Sequence, residues 1–249
     1  MKKISIVTVV YNCEDTIADT IKSVVSQTAI NKIEYIIIDG SSTDNTLSEI
    51  YKFKDQIDFI VSEKDTGIYN AMNKSLKYVT GEWVLFLNAG DVFENAETIE
   101  NVLSHESKFA GNDIIGFSTL FKHRDKLKTE KVKELSQRWI CVPACHQSML
   151  IRSSVHKLNH YNENFKICAD HYLFNKLINN GHLFLGINSI LSIFAFDGVS
   201  AKNRVQLYKE KLAIANKLHA PYSSIMKLNY LIFRLRITGA IKRYLYSSN

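Results

Sequence analysis

What most constrains this chain is an alternation of strands and helices in which the strands are apolar from end to end. Residues 4–10 (ISIVTVV), 34–38 (EYIII) and 83–87 (WVLFL) are runs of this kind, and a further strand is expected at about 57–62 (IDFIVS). A run without the polar alternation of a half-exposed strand marks a strand buried on both faces. Between the runs, residues 14–28 place Ile17, Ile21, Val24 and Val25 at helical spacing. A second helix is expected at 43–53, capped by Ser41, Ser42 or Thr43 in a pattern closed by Asp44 and Asn45. Residues 68–80 read as a third helix, ended by Gly81. Strand–helix units of about 30 residues predict right-handed crossovers and a mainly parallel sheet with helices on both faces.

In such a sheet the ligand site lies at the carboxyl ends of the strands. Those ends are Tyr11-Asn12, Asp39-Gly40, Glu63-Lys64-Asp65 and Asn88-Ala89-Gly90-Asp91. All four are polar and three carry acids. The second half is less regular: strands are expected at 113–120 and 147–151, a helix at 170–180, one or two strands at 183–196 and a helix at 203–219. Pro221 breaks the chain before a last helix at 222–246. This gives an α/β domain over 1–220 and a basic, amphipathic C-terminal helix within 221–249.

Charge is distributed unevenly. The net charge of 249 residues is +6, yet Glu210 is the last acid. Beyond it stand Lys211, Lys217, Lys227, Arg234, Arg236, Lys242 and Arg243, so the first 210 residues carry a net −1. A nucleic-acid-binding domain would spread cations over its folded face, whereas a tail of this kind suits a membrane surface. No stretch reaches the ~18 apolar residues of a membrane span, and the amino-terminal run lacks a leader's cleavage site. The expectation is a cytoplasmic protein with reduced thiols, held peripherally at the cytoplasmic face of the inner membrane, with no nucleic-acid partner.

Several chemistries are excluded. A dinucleotide fingerprint needs Gly-x-Gly-x-x-Gly after the first strand, where this chain has Tyr11-Asn12-Cys13-Glu14-Asp15. There is no phosphate loop of the Gly-x-x-x-x-Gly-Lys-Ser/Thr kind, and a nucleotidyltransferase would want a Gly-rich basic loop at the same place. Cys141, Cys145, His146 and Cys168 lack the spacing of a paired zinc knuckle, which leaves buried free thiols as the better account. Acidic strand ends still suit a nucleotide whose phosphates are neutralised by a divalent cation. Asp39 can accept a hydrogen bond from the ring N–H of uracil or thymine, or hold a turn. Asp91 suits Mg²⁺ or Mn²⁺, or belongs to a plain Ala-Gly-Asp turn. Asp170 is either a base or a helix-capping acid.

Five blocks carry a resemblance. They are Ile4 to Asn12; Asp39-Gly40-Ser41-Ser42-Thr43-Asp44; Ser62 to Lys74 (SEKDTGIYNAMNK); Gly81-Glu82-Trp83; and Leu87-Asn88-Ala89-Gly90-Asp91. In order and spacing, over about residues 1–95, they resemble family 2 glycosyltransferases, and specifically the branch that builds colanic acid, O-antigen and capsule. The resemblance implies a GT-A fold and inverting transfer from a nucleotide sugar, most naturally a UDP-sugar. It implies that Thr8, Tyr11 and Asp39 cradle base and ribose, that Asp65 contacts the nucleotide, and that Asp91 belongs to the metal-binding Asp-x-Asp region. There Asn88 and Gly90 replace the two motif acids, so Mn²⁺ or Mg²⁺ would be held largely by the diphosphate. His146-Gln147 would line the acceptor side and Asp170 would be the catalytic base. With the basic tail, the resemblance points to an acceptor sugar on undecaprenyl diphosphate. A transferase acting on a protein or soluble acceptor, and a non-catalytic nucleotide-sugar binding module, are the alternatives.

Overall fold

The computed structural model describes residues 2–123, 126–195 and 203–246, with side chains given except at 123, 126, 195 and 239–246. The first half is built as the apolar runs dictate. Strands β1 (Ile4–Val10), β2 (Ile33–Asp39), β3 (Phe59–Ser62) and β4 (Trp83–Phe86) pair in parallel, with α1 (Ile17–Val25), α2 (Thr46–Tyr51) and α3 (Ile68–Ser75) as crossovers. All seven residues of β1 and of β2 are buried. Ile4, Ile6 and Val10 pack with Ile17, Ile21 and Val24 on one face, while Val7 and Val9 pack with Met72, Leu76 and Phe86 on the other. Glu34, within β2, is buried but satisfied: it accepts hydrogen bonds from Ser5 Oγ, Thr80 N and Thr80 Oγ1. Such pairing is what makes a carboxylate tolerable in a strand interior.

Beyond β4 the sheet becomes mixed. Added to it are β5 (Val92–Phe93), β6 (Ile114–His123), β7 (Lys126–Glu130), β8 (Met149–Arg152) and β9 (Phe184–Ala195), with α4 (Thr98–Ser104), α5 (Ser153–Leu158) and α6 (Ala169–Asn179). The order is β3-β2-β1-β4-β8-β6-β9-β5, with β7 paired to β6. Strand β8 runs antiparallel to both β4 and β6, whereas β6 and β9 are parallel. Expected strand 183–196 is one strand; its last residue, 196, lies outside the described residues. β5, β7, α4 and α5 carry too few periodic residues to announce themselves.

Two local expectations are overturned. Helix α2 begins at Thr46 and has no side-chain cap. The polar residues before it serve the loop after β1 instead: Thr43 N donates to Asn12 Oδ1, Asn12 N to Ser42 Oγ, and Cys13 N to Thr46 Oγ1. Asn12 and Ser41 take positive φ in these turns. Helix α3 ends at Ser75, whose hydroxyl bonds back to Met72 O, and not near Gly81.

Helices α7 (Arg204–Lys217) and α8 (Tyr222–Tyr246) close the chain. Leu228 and Ile232 of α8 are buried, and Leu228 packs with Trp139 and Ala215. The C-terminal helix is therefore docked on the domain along one side. Its residues Ile241 to Leu245, including Lys242 and Arg243, lie outside the described side chains.

Candidate active site

The parallel register sets where the strand-end groups meet. Val10 pairs with Asp39 and Asp39 with Ser62, so the ends of β1, β2 and β3 lie level. A Cβ on Gly40 would stand 2.5 Å from Asp65 Oδ2 and 3.4 Å from Tyr11 Cδ2, which brings Tyr11 and Asp65 to the same backbone turn. Tyr11 is 58% exposed there, an open aromatic face at a strand end. Asp65 Oδ1 accepts from Gly67 N. Asp39 is fully buried: Oδ1 accepts from Ser42 N and Ser42 Oγ, Oδ2 from Ser42 N and Ser62 Oγ. Its carboxylate fixes the turn that shapes this end of the sheet. Thr8 is fully buried, donating to Leu87 O and bonding Tyr35 OH. On a strand buried on both faces, a polar residue is a core tie unless it stands at the last position.

A second group gathers after β4. Asn88 Nδ2 lies 3.0 Å from His146 Nε2. His146 Nδ1 lies 3.6 Å from Asp170 Oδ2. Tyr69 OH, from α3, stands 2.9 Å from Ile167 O and 3.3 Å from Asp170 Oδ1. Asp170 sits in the first turn of α6, behind Cys168 at the cap position. A carboxylate there is favoured by the helix dipole. Burial would raise its carboxyl, but the hydrogen bond and charge of His146, with the N–H and imidazole of His171, outweigh burial and hold it below the usual carboxylate range. Asp91 is 5% exposed and has the opposite fate. Burial pushes its carboxyl up to about 7, against the charge of His146 and hydrogen bonds from Gln147 and the Asn88 backbone. Two carboxylates near one imidazole are thus pushed apart in acidity, the usual mark of divided roles.

The metal question turns on Asp91 and Asn88. Asn88 Oδ1 is buried without a hydrogen-bond partner among the described residues. A buried carboxylate beside an orphan amide oxygen fits a hard cation that takes oxygen ligands. No group of three or more His, Cys, Asp and Glu that could hold a metal stands together among the described residues. The donor set therefore suits an ion that completes its shell from phosphate and water. Burial pushes the Cys145 thiol up to about 11 and the Cys168 thiol higher still, so both are held as neutral thiols. Cys168 is buried, whereas Cys13, Cys141 and Cys145 are half-buried.

The supporting residues were not evident in the sequence. Glu210 of α7 is buried and accepts backbone N–H bonds from Lys166, Ile167 and Cys168, the three residues before α6. It clips the segment that presents Asp170, and its only sequence mark is to be the last acid. Glu163 does the same for α3, accepting from Asn70 Nδ2, Asn73 Nδ2 and Thr66 Oγ1. Asn70 and Asn73, three apart on one helix face, were the available signal.

A model of the family described as glycosyl transferase family 2 matches residues 5–158. The chain belongs to that family. The PGL/p-HBAD biosynthesis glycosyltransferase of Mycobacterium tuberculosis is 30% identical over 175 residues, covering 67% of this chain and 66% of that protein. The chain thus spans just under two thirds of the length of such relatives. The UDP-Glc:alpha-D-GlcNAc-diphosphoundecaprenol beta-1,3-glucosyltransferase of Escherichia coli is 37% identical over 119 residues, 47% of this chain and 45% of that one. Among solved structures, S. aureus TarS 1–349 in complex with UDP-GlcNAc superimposes with a TM-score of 0.70 at 18% identity, over 92% of this chain and 70% of that one. A mannosyltransferase of Pyrobaculum calidifontis, in complex with GDP-Man and Mn²⁺, gives 0.68 at 15% identity, over 93% and 69%. The mixed α/β sheet with flanking helices is the GT-A architecture of these glycosyltransferases. The family match ends before Asp170, so that residue rests on the geometry around it.

Proposed function

We propose that the protein is an inverting glycosyltransferase. It moves a hexose or N-acetylhexosamine from a UDP-sugar to a hydroxyl of a sugar carried on undecaprenyl diphosphate, in the synthesis of a bacterial surface polysaccharide. The observation that carries the reading is the convergence of Asn88, Asp91, His146 and Asp170 at the carboxyl end of the sheet in a family 2 chain. The UDP-sugar is supported by the E. coli relative and the TarS complex, and the lipid diphosphate by the former alone.

In this reading the nucleotide lies along the ends of β1–β3, with Tyr11 offering a face to the base and Asp65 reaching the ribose. Asp39 holds the turn beneath them. The acceptor oxygen attacks the anomeric carbon from the side opposite the departing phosphate oxygen. The new C–O bond forms as the old one breaks, UDP leaves with the bonding electrons, and Asp170 takes the hydroxyl proton. His146 orients that carboxylate and keeps it ionised. Mn²⁺ or Mg²⁺, held by Asp91 and Asn88 Oδ1, would neutralise charge on the diphosphate. A donor screen reading UDP release, with a diphospholipid-linked monosaccharide present or absent and with or without Mn²⁺, tests the reading. Acceptor-dependent release from one UDP-sugar is expected; no release from any donor removes it.

The membrane part rests on α8. Tyr222, Met226, Tyr230, Phe233 and Ile237 are exposed at steps of four, four, three and four residues, which is one helix face. Lys227, Arg234 and Arg236 are exposed beside it. An apolar stripe flanked by cations suits the plane of an anionic leaflet, at ~1 kcal/mol per cation. No helix among the described residues is long and apolar enough to cross a membrane. The variant Tyr230→Ser/Phe233→Ser/Ile237→Ser, which leaves buried Leu228 and Ile232 in place, should lower partition onto phosphatidylglycerol vesicles at least tenfold in a sedimentation assay. Unchanged sedimentation would remove α8 as the contact.

A further inference from the structure

Past Asp170 the site continues into a cavity of about 750 Å³ whose outer wall none of the proposed steps uses. We propose that its outer wall is a diphosphate subsite, made by Lys133, Arg204 and Lys211, and that the acceptor's diphosphate occupies it. The inference rests on the acceptor class named above and assigns the residues that would recognise it.

The cavity is lined at one end by Tyr69, His146 and Asp170, and elsewhere by β6, β9, α7 and the segment after β7. Three cations, Lys133, Arg204 and Lys211, line it. Arg204, the first residue of α7, is exposed and has no ion-pair partner among the described residues. Lys211 gives one hydrogen to Ile140 O at 2.7 Å and keeps two of its three donors. Lys133 is ion-paired with Glu130, which lines the same wall, so a diphosphate there competes with that carboxylate for the lysine. Arg204, Tyr208 and Lys211 lie four and three residues apart, so one face of α7 presents them together. Guanidinium and ammonium groups gathered on one wall are the donor set that phosphate oxygens take. Phe121 and Phe194, an edge-to-face pair with centroids 5.5 Å apart, also line the cavity.

The wall lies across the sheet from the nucleotide end: Tyr11, Asp39 and Asp65 stand at β1–β3, whereas the cavity opens over β6 and β9, and Asp91 adjoins it, since the next residue, Val92, pairs with Ile193 beside cavity-lining Phe194. An acceptor that offers a hydroxyl to Asp170 and carries a diphosphate on its anomeric carbon extends toward that wall. The same helix α7 packs against α8, whose outer face carries the apolar stripe, so the lipid end of such an acceptor lies near the membrane-facing helix.

The test is direct binding of undecyl diphosphate to the full chain with UDP saturating the donor site. Undecyl maltoside serves as the uncharged control. Undecyl diphosphate should bind, the maltoside much more weakly, and the exposed-site variant Arg204→Gln should weaken the diphosphate at least tenfold with UDP affinity unchanged. Lys133→Gln should act in the same direction, and both losses should shrink at high salt. Equal binding of the two amphiphiles, or an Arg204→Gln protein with parental affinity, would overturn the proposal. So would a variant that loses UDP affinity and keeps undecyl diphosphate, because the wall would then serve the donor. The assay needs no turnover, so its failure is separable from failure of the donor screen.

Discussion

Asp170→Asn is expected to lower kcat by about 10²–10⁴-fold while UDP-sugar affinity stays close to the parent's. General-base catalysis by a positioned side chain contributes that range. The amide keeps the shape and can still accept from Tyr69, but it cannot take the acceptor's proton. Asp170 touches no group of the proposed nucleotide subsite, so donor binding has no reason to change. Loss of fold is not an adequate explanation for a low rate either, since a first-turn acid is worth about 0.3–1 kcal/mol to its helix. A carboxyl held below its usual range is a weak base, yet a weak base suffices once the attacking hydroxyl acidifies as its bond to carbon forms. The pH profile gives a second reading. With His146 removed, as in His146→Ala, the largest influence holding Asp170 ionised is gone and burial remains. The acid limb of kcat/KM should move to higher pH. A near-normal rate in Asp170→Asn would reduce the residue to a helix-end acid.

The expected legibility of the fold follows from where periodicity is strong. Ile4–Val10 and Ile33–Asp39 could be read because both faces are covered and every position is apolar or tied. α8 was read to its ends because Pro221 precedes it and no breaker interrupts it. β5 and β7 were missed because a two-residue pairing and a short exposed hairpin arm carry no face pattern. The site divides in the same way. Strand ends are set by register, so Tyr11, Asp65, Asn88 and Asp91 could be placed from sequence. Asp39 and Thr8 could be placed but not oriented: whether a hydroxyl or carboxylate is spent on its own backbone depends on neighbours such as Ser42, Ser62 and Tyr35. Glu210 was out of reach because its partners are three backbone amides more than forty residues earlier. Hydrogen bonds to backbone leave no complementary residue type to find.

Asp91→Asn should make the protein more stable and less active. A carboxyl raised from 3.8 to about 7 marks a charge the fold resists burying. At 1.36 kcal/mol per unit the resistance amounts to about 4 kcal/mol once the group is ionised in both states. The sign is fixed by the direction of the shift: below about pH 4 the carboxyl is protonated folded and unfolded, and variant and parent should unfold at the same urea concentration. Between about 4 and 7 the unfolded chain loses its proton first, the parent is progressively destabilised, and the variant is not. Above about 7 the gap should be constant and at its largest. Urea melts at pH 4, 6 and 8 read it directly; equal midpoints at pH 8 would show that the charge is already compensated without a ligand. If Asp91 is held ready for a cation, Mn²⁺ with UDP should raise the parent's midpoint at pH 8 and leave that of Asp91→Asn nearly still, because binding to the native state is what adds stability. Turnover should fall about 10²-fold or more, the usual scale for losing one group that stabilises a leaving charge. A stability gain and an activity loss from a one-atom change would locate in Asp91 the strain that the site keeps for its donor.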